Sequence, residues 1–210
     1  MVRKLLNKLH ASYEDWDLSL TYWQISTAFF VSPPSSIRWQ PYYVPEKKAT
    51  QLCKNPATLQ LPQGRIVTQV KPQNYYYQNM SFIFRAIPPP GNWSLANCYY
   101  AQLSWRYSNW TVYERVNGVN IRSFASAKAQ DMTDNWKHYR ITWWLAWGIL
   151  MVQLEKEIAG VWTQEGALIS IPDPLFGSET YQRPGLIAHS DQLADQFVYF
   201  DDTEIWGPTA

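Results

Sequence analysis

The chemistry open to this chain starts with its aromatic rings. It carries twelve Trp and fourteen Tyr, and aromatic residues make up 16% of the sequence. Indole and phenol rings stack on the apolar faces of pyranose sugars, while Asn, Gln and Arg satisfy sugar hydroxyls. Candidates for such a platform are Trp105, Tyr107, Trp110, Tyr113, Trp144 and Trp147, with Arg140 beside them. The same residue types make hot spots between proteins, so the ligand is read as a sugar or a partner subunit. Core packing competes for each ring, and Trp143, in phase with Ile141, is assigned to the core.

Carboxylates gather near both ends, as Glu14, Asp15 and Asp17 and as Asp201 and Asp202. Glu155 and Glu157 read as surface charges at a turn. Glycoside hydrolysis needs two carboxylates about 5–9 Å apart around a sugar, and no spacing singles out such a pair. A lyase needs a Tyr or His base with a neutralising Arg or Gln. Of His10, His138 and His189, only His138 shares a strand face with an arginine, Arg140. No Gly-x-Ser-x-Gly elbow is present. Cys53 and Cys98 lack zinc-site spacing, and their pairing stays open. Asn79, Asn92 and Asn109 each open an Asn-x-Ser/Thr acceptor for glycosylation.

These side chains need rigid elements to position them. From Trp136 to Leu154 the sequence reads as two strands joined at Ala146-Trp147-Gly148. Tyr139, Ile141, Trp143 and Leu145 alternate with His138, Arg140, Thr142 and Trp144, the period of a strand with one buried face. Glycine accepts the positive φ of a hairpin turn. The apolar run is too short for a membrane helix, which needs about 20 residues. Asn117-Gly118 predicts a second hairpin. Alternating stretches recur from Tyr13 to Trp206, with turn signals every 8–12 residues or so. Ala125–Gln130 is the one stretch of helical composition. Residues 1–12 are read as an N-terminal arm without a signal peptide's apolar region, and 13–210 as one domain. Lys and Arg number 18 against 17 Asp and Glu, which excludes a field that recruits nucleic acid. The fold class is all-β, a two-sheet antiparallel sandwich.

The order of motifs resembles the concanavalin A-like jelly-roll superfamily, which includes legume-lectin, laminin G-like and polysaccharide-lyase-like sandwiches. The residues that carry it are YEDWDLSLTYW at the start and SFIFRA, CYYAQLSW and ERVNG in the middle. DNWKHYRITWWLAWGILMVQL and the closing FVYFDDTEIW complete it. A proline-rich excursion at about 32–62 departs from the pattern. The resemblance implies neighbouring first and last strands and a structural calcium ion, with Glu14, Asp15, Asp201 and Asp202 as candidate ligands. It also implies an outer, concave face that carries aromatic rings. Hydrolases of the superfamily carry Glu-x-Asp-x-x-Glu on one strand, and this chain has none. The expectation is a non-enzymatic binding or assembly module with carbohydrate affinity, a structural or decoration component of a larger extracellular or virus-like particle. Its partners are then other protein subunits and glycans. The alternative is a polysaccharide-active enzyme, lyase-like, on the same fold.

Overall fold

The stretch around Trp147 folds as the expected hairpin. Trp147 and Gly148 take φ of 50° and 76°, positive at both central residues. That turn matches the right-handed twist of the strands it joins. The same geometry recurs at Asn117-Gly118 and Ala159-Gly160.

The computed structural model describes residues 3–8, 16–18, 23–26, 31, 36–39, 48–53, 61–73, 78–87, 97–105, 109–128, 133–175, 183–190 and 197–208. The described residues form sixteen strands and no helix. The first eight are β1 (Arg3–Lys8), β2 (Trp16–Leu18), β3 (Trp23–Ser26), β4 (Ser36–Trp39), β5 (Lys48–Cys53), β6 (Gly64–Gln73), β7 (Gln78–Ile87) and β8 (Asn97–Ser104). The rest are β9 (Asn109–Val116), β10 (Val119–Ala127), β11 (Lys137–Ala146), β12 (Ile149–Ile158), β13 (Val161–Gln164), β14 (Ile169–Ile171), β15 (Arg183–Ser190) and β16 (Phe197–Pro208).

Two antiparallel sheets stack into a jelly-roll sandwich. One has nine strands, ordered β13-β12-β11-β6-β16-β4-β3, with β14 also on β12 and β1 also on β16. The other has seven, ordered β10-β9-β8-β7-β15-β5-β2. The core lies between them. Ile141, Trp143, Leu150, Val152 and Leu154 from the hairpin meet Phe82, Phe84, Tyr99 and Val112 from the facing sheet. Trp143 and Phe84 stack across the interface at 5.3 Å between ring centroids. Burying each such side chain contributes roughly 1.5–3 kcal/mol.

Alternation fails at instructive places. Leu145 is in phase with the core yet 40% exposed, because β6 ends at Gly64, opposite Trp143, and leaves that side of Leu145 without a neighbouring strand. In β16, Val198 and Phe200 face the core, and so does Ile205, of opposite parity. A bulge between Asp201 and Glu204 resets the phase, with Asp202 at a φ of 45°. Thr68 and Thr203 satisfy each other at the bulge through their hydroxyls, 2.7 Å apart.

One expectation changes. Ala125–Ala127 belongs to β10, so the helical composition there yields to pairing with β9. Residues 3–8 of the N-terminal arm form a strand on β16, and Leu6 packs against the core. The proline-rich excursion supplies β4 to one sheet and β5 to the other. Near its centre the seven-stranded sheet is buried on both faces: outward-facing Ser81, Ile83, Cys98 and Tyr100 are all buried.

Candidate functional site on the outer face of the nine-stranded sheet

Strand register lays the outward side chains of β6, β11, β12 and β13 into rows. In one row Gln69 pairs with His138, His138 Nδ1 hydrogen-bonds to Glu157, and Glu157 pairs with Trp162. In the next, Val67 pairs with Arg140, Arg140 with Glu155, and Glu155 with Gln164. Arg140 donates from Nε and Nη2 to the two oxygens of Glu155, the bidentate geometry that makes such pairs strong. Trp162 belongs to both rows. Its ring lies 4.7 Å from the His138 ring and 4.4 Å from the Arg140 guanidinium carbon. In a third row Arg65 Nε donates to the Thr142 hydroxyl.

An open pocket of about 350 Å³ lies where these rows meet the loop before β11. Gln69, Trp136, Lys137, His138, Lys156 and Glu157 line it. Two lysines hold that loop in place. Lys137 Nζ donates to the carbonyls of Thr133 and Asn135, and Lys71 Nζ donates to that of Asp134. Three successive carbonyls are thereby satisfied, which fixes the segment leading to Trp136. The lining brings an indole, an imidazole and an amide together, groups that suit a polar ring-shaped ligand.

The aromatic candidates separate. Trp110 shares the inward face of β9 with Val112, and Trp105 follows β8 into the core. At 0% and 1% exposure they offer no face to a ligand. Tyr113 is half-buried on the outer face of the other sheet, stacked on Tyr100 at 4.9 Å. Trp144 is half-buried on the same face as Arg140, towards the turn. Trp147 stands at the hairpin tip, 98% exposed. Tyr107 lies outside the described residues. Among the described residues, no single platform forms from this set.

The acidic candidates are placed only in part. Asp201 is fully buried, and its carboxylate accepts the backbone N–H groups of Val31 and Asp202. Asp202 sits in the bulge beside it, and Glu14 and Asp15 lie outside the described residues. Among the described residues no group of three or more His, Cys, Asp or Glu is placed to hold a metal. Asn79 is buried, which leaves no room for a glycan. Asn109 opens β9 half-buried, and Asn92 lies outside the described residues.

Sequence reasoning missed two arrangements. Glu155 and Glu157 are in-strand partners of Arg140 and His138, not turn charges. Counting outward from Trp147-Gly148 pairs Arg140 with Glu155, so the signal was present. Glu114, third in the inward series Trp110, Val112, Glu114, is a fully buried carboxylate. It accepts from the Tyr99 hydroxyl and Arg122 Nε, while Arg122 also holds the carbonyls of Pro172 and Asp173, each at 3.2 Å. Burial alone pushes the Glu114 carboxyl up, but the bonds from Arg122 and Tyr99 outweigh it and hold it below the usual range. Burial is the main reason the Tyr99 hydroxyl is pushed up, helped by Glu114.

No protein-family model and no curated protein sequence matches the chain. Solved structures do. The exoplasmic/lumenal domain of VIP36, in a Ca2+/Man3GlcNAc-bound form, aligns at a TM-score of 0.62 and 14% identity, covering 100% of this chain and 91% of that one. The legume lectin-like domain from Entamoeba histolytica aligns at 0.58 and 10% identity, covering 91% and 92%. A GH43 glycoside hydrolase aligns at 0.55 and 9% identity, covering 93% of this chain and 39% of the enzyme. The architecture is thus the legume-lectin-like, concanavalin A-like jelly roll.

Proposed function

We propose that the chain is a non-enzymatic carbohydrate-binding module whose sugar site is the pocket beside His138. The observation that carries this is the pocket itself, where Trp136 meets Gln69, His138 and Lys156 on a lectin-type sandwich. An indole supplies the stacking surface for a pyranose, and the polar groups order its hydroxyls. The lyase-like alternative is not favoured. Arg140, the arginine such a reaction would use to neutralise substrate, is engaged bidentately by Glu155. Calorimetric titration of an oligosaccharide panel tests the proposal. Binding weakened tenfold or more by Trp136→Ala and by His138→Ala, with unchanged circular dichroism, is expected. Depolymerisation of a polysaccharide would overturn the non-enzymatic reading.

The module is also proposed to work within a larger extracellular or virus-like assembly. One observation favours this: Trp147 exposes 98% of its surface at a projecting tip and at a positive φ. A bulky residue there is strained and packs on nothing in its own chain. The mass of the native particle tests it, since a strict monomer that Trp147→Ser leaves unaltered has no subunit contact at that tip.

A further inference from the structure

Resting on the reading of this pocket as a sugar site, we infer that Glu157 is a positioning residue that holds His138 as a hydrogen-bond acceptor, and that the ligand is a neutral sugar which donates a hydroxyl to His138 Nε2. Gln69, His138 and Glu157 stand in one row on the outer face, with Gln69 paired to His138 across β6 and β11. His138 Nδ1 bonds to Glu157. A carboxylate only accepts, so the hydrogen in that bond belongs to Nδ1. The bond that one ring nitrogen makes decides the state of the other. In the neutral imidazole Nε2 then carries no hydrogen and only accepts. Among the described residues nothing bonds to Nε2. The Trp162 ring of β13, 4.7 Å away and tilted by 58°, holds the imidazole on a second side. The side chains of His138 and Glu157 keep 27% and 29% exposure, and both line the pocket.

An acceptor fixed in this way selects a donor. Sugar hydroxyls donate, whereas a ligand carboxylate only accepts. Gln69 beside it offers both a donor and an acceptor, the complement of a hydroxyl that does both. Lys137 and Lys156 also line the pocket, but they occupy core-facing positions of β11 and β12, in phase with Tyr139 and Leu154. In the outer row the charged group lining the pocket is Glu157, which disfavours an anion. Glu157 therefore sets two properties at once: it keeps Nε2 bare, and it turns the site towards uncharged rings.

The test combines nitrogen-15 spectra of the histidine-labelled intact chain at pH 8 with titration of four probes: mannotriose, cellotriose, lactose and trigalacturonate. The His138→Gln variant assigns the His138 signals. The expected spectrum has the proton on Nδ1 and none on Nε2. At least one neutral probe should bind, displace the Nε2 signal more than that of Nδ1, and bind tenfold or more tightly than trigalacturonate. Glu157→Ala should let the proton reach Nε2 and cut the neutral probe's affinity tenfold or more, with circular dichroism checking the fold. A merely structural Glu157 would leave the tautomer unmoved. A proton on Nε2 in the parent, an Nε2 signal that a bound probe does not move, Glu157→Ala changing neither tautomer nor affinity, or trigalacturonate bound as tightly as the neutral probes would overturn the inference and leave the sugar site standing. No binding of any probe or of the wider panel would remove both.

Discussion

Arg140 and Glu155 stand directly opposite each other across β11 and β12, joined by two hydrogen bonds, with the flat guanidinium 4.4 Å from the Trp162 ring. This contact ties three adjacent strands together on the face that carries the pocket. Both side chains are mostly withdrawn from water, at 19% and 10% exposure. A pair so placed contributes little relative to an apolar replacement, yet breaking one partner is costly.

Arg140→Ala is therefore expected to destabilise the chain by about 3 kcal/mol, because Glu155 keeps its charge and loses its partner. The double change Arg140→Met with Glu155→Leu should cost much less. Urea unfolding of the two variants measures the difference, and equal losses would mean that the pairing is not the source of the penalty.

The Glu114 cluster gives a pH dependence. Its carboxyl is held below the ordinary range in the folded chain. The unfolded state then binds the proton more readily. The stabilisation is fully present above the unfolded value of about 4.3 and is lost as pH falls through the lower folded value. Glu114→Gln should be clearly less stable than the parent at pH 7, with the gap closing below about pH 4. Acid titration of the unfolding midpoint for both proteins reads this out, and a gap independent of pH would contradict it.

Cys98 is buried and unpaired by any disulfide, and burial pushes its thiol up to about 12. Only the thiolate attacks a disulfide reagent. In a Cys53→Ser background, Cys98 should resist a colorimetric disulfide reagent at pH 8 until denaturant is added. Prompt labelling of the native chain would show that the strand opens locally.

Trp147 occupies the first central position of a turn whose positive φ favours Asn, Asp or Gly. Its ring contributes no packing that substitution could remove. Trp147→Asn is expected to raise stability by roughly 0.5–1 kcal/mol. Thermal or urea unfolding measures it, and a loss of stability would reveal a contact made by the ring.

Where side-chain period and turn chemistry act locally, the sequence was readable. The hairpin faces of β11 and β12, the Asn117-Gly118 turn and the stacking of two antiparallel sheets all follow from alternation and positive-φ residues. The errors arise where pairing with distant strands decides. Ala125–Ala127 joins β10 because β9 is there to pair with it. Asp201 is buried on the outer face opposite Gln69, where it takes the N–H of Val31 from a distant segment. Trp105 and Trp110 looked like platform rings because composition does not say which face of a strand is wet. The site was legible only in part: His138 and Arg140 stood out as a pair, but strand order is what sets Trp162 beside them and Lys71 under the neighbouring loop.

The place of β16 has a consequence for how the chain acquires its shape. This strand lies in the interior of the nine-stranded sheet, flanked by β6 on one side and by β4 and β1 on the other. It leaves the ribosome after the other fifteen described strands. Until then β6 presents an unpaired edge, and unpaired edges on partly made chains attract one another. Maturation is thus gated by this late-made strand, at the slow rate of distant strand pairing, and nascent molecules truncated before Phe197 will stick together rather than mature.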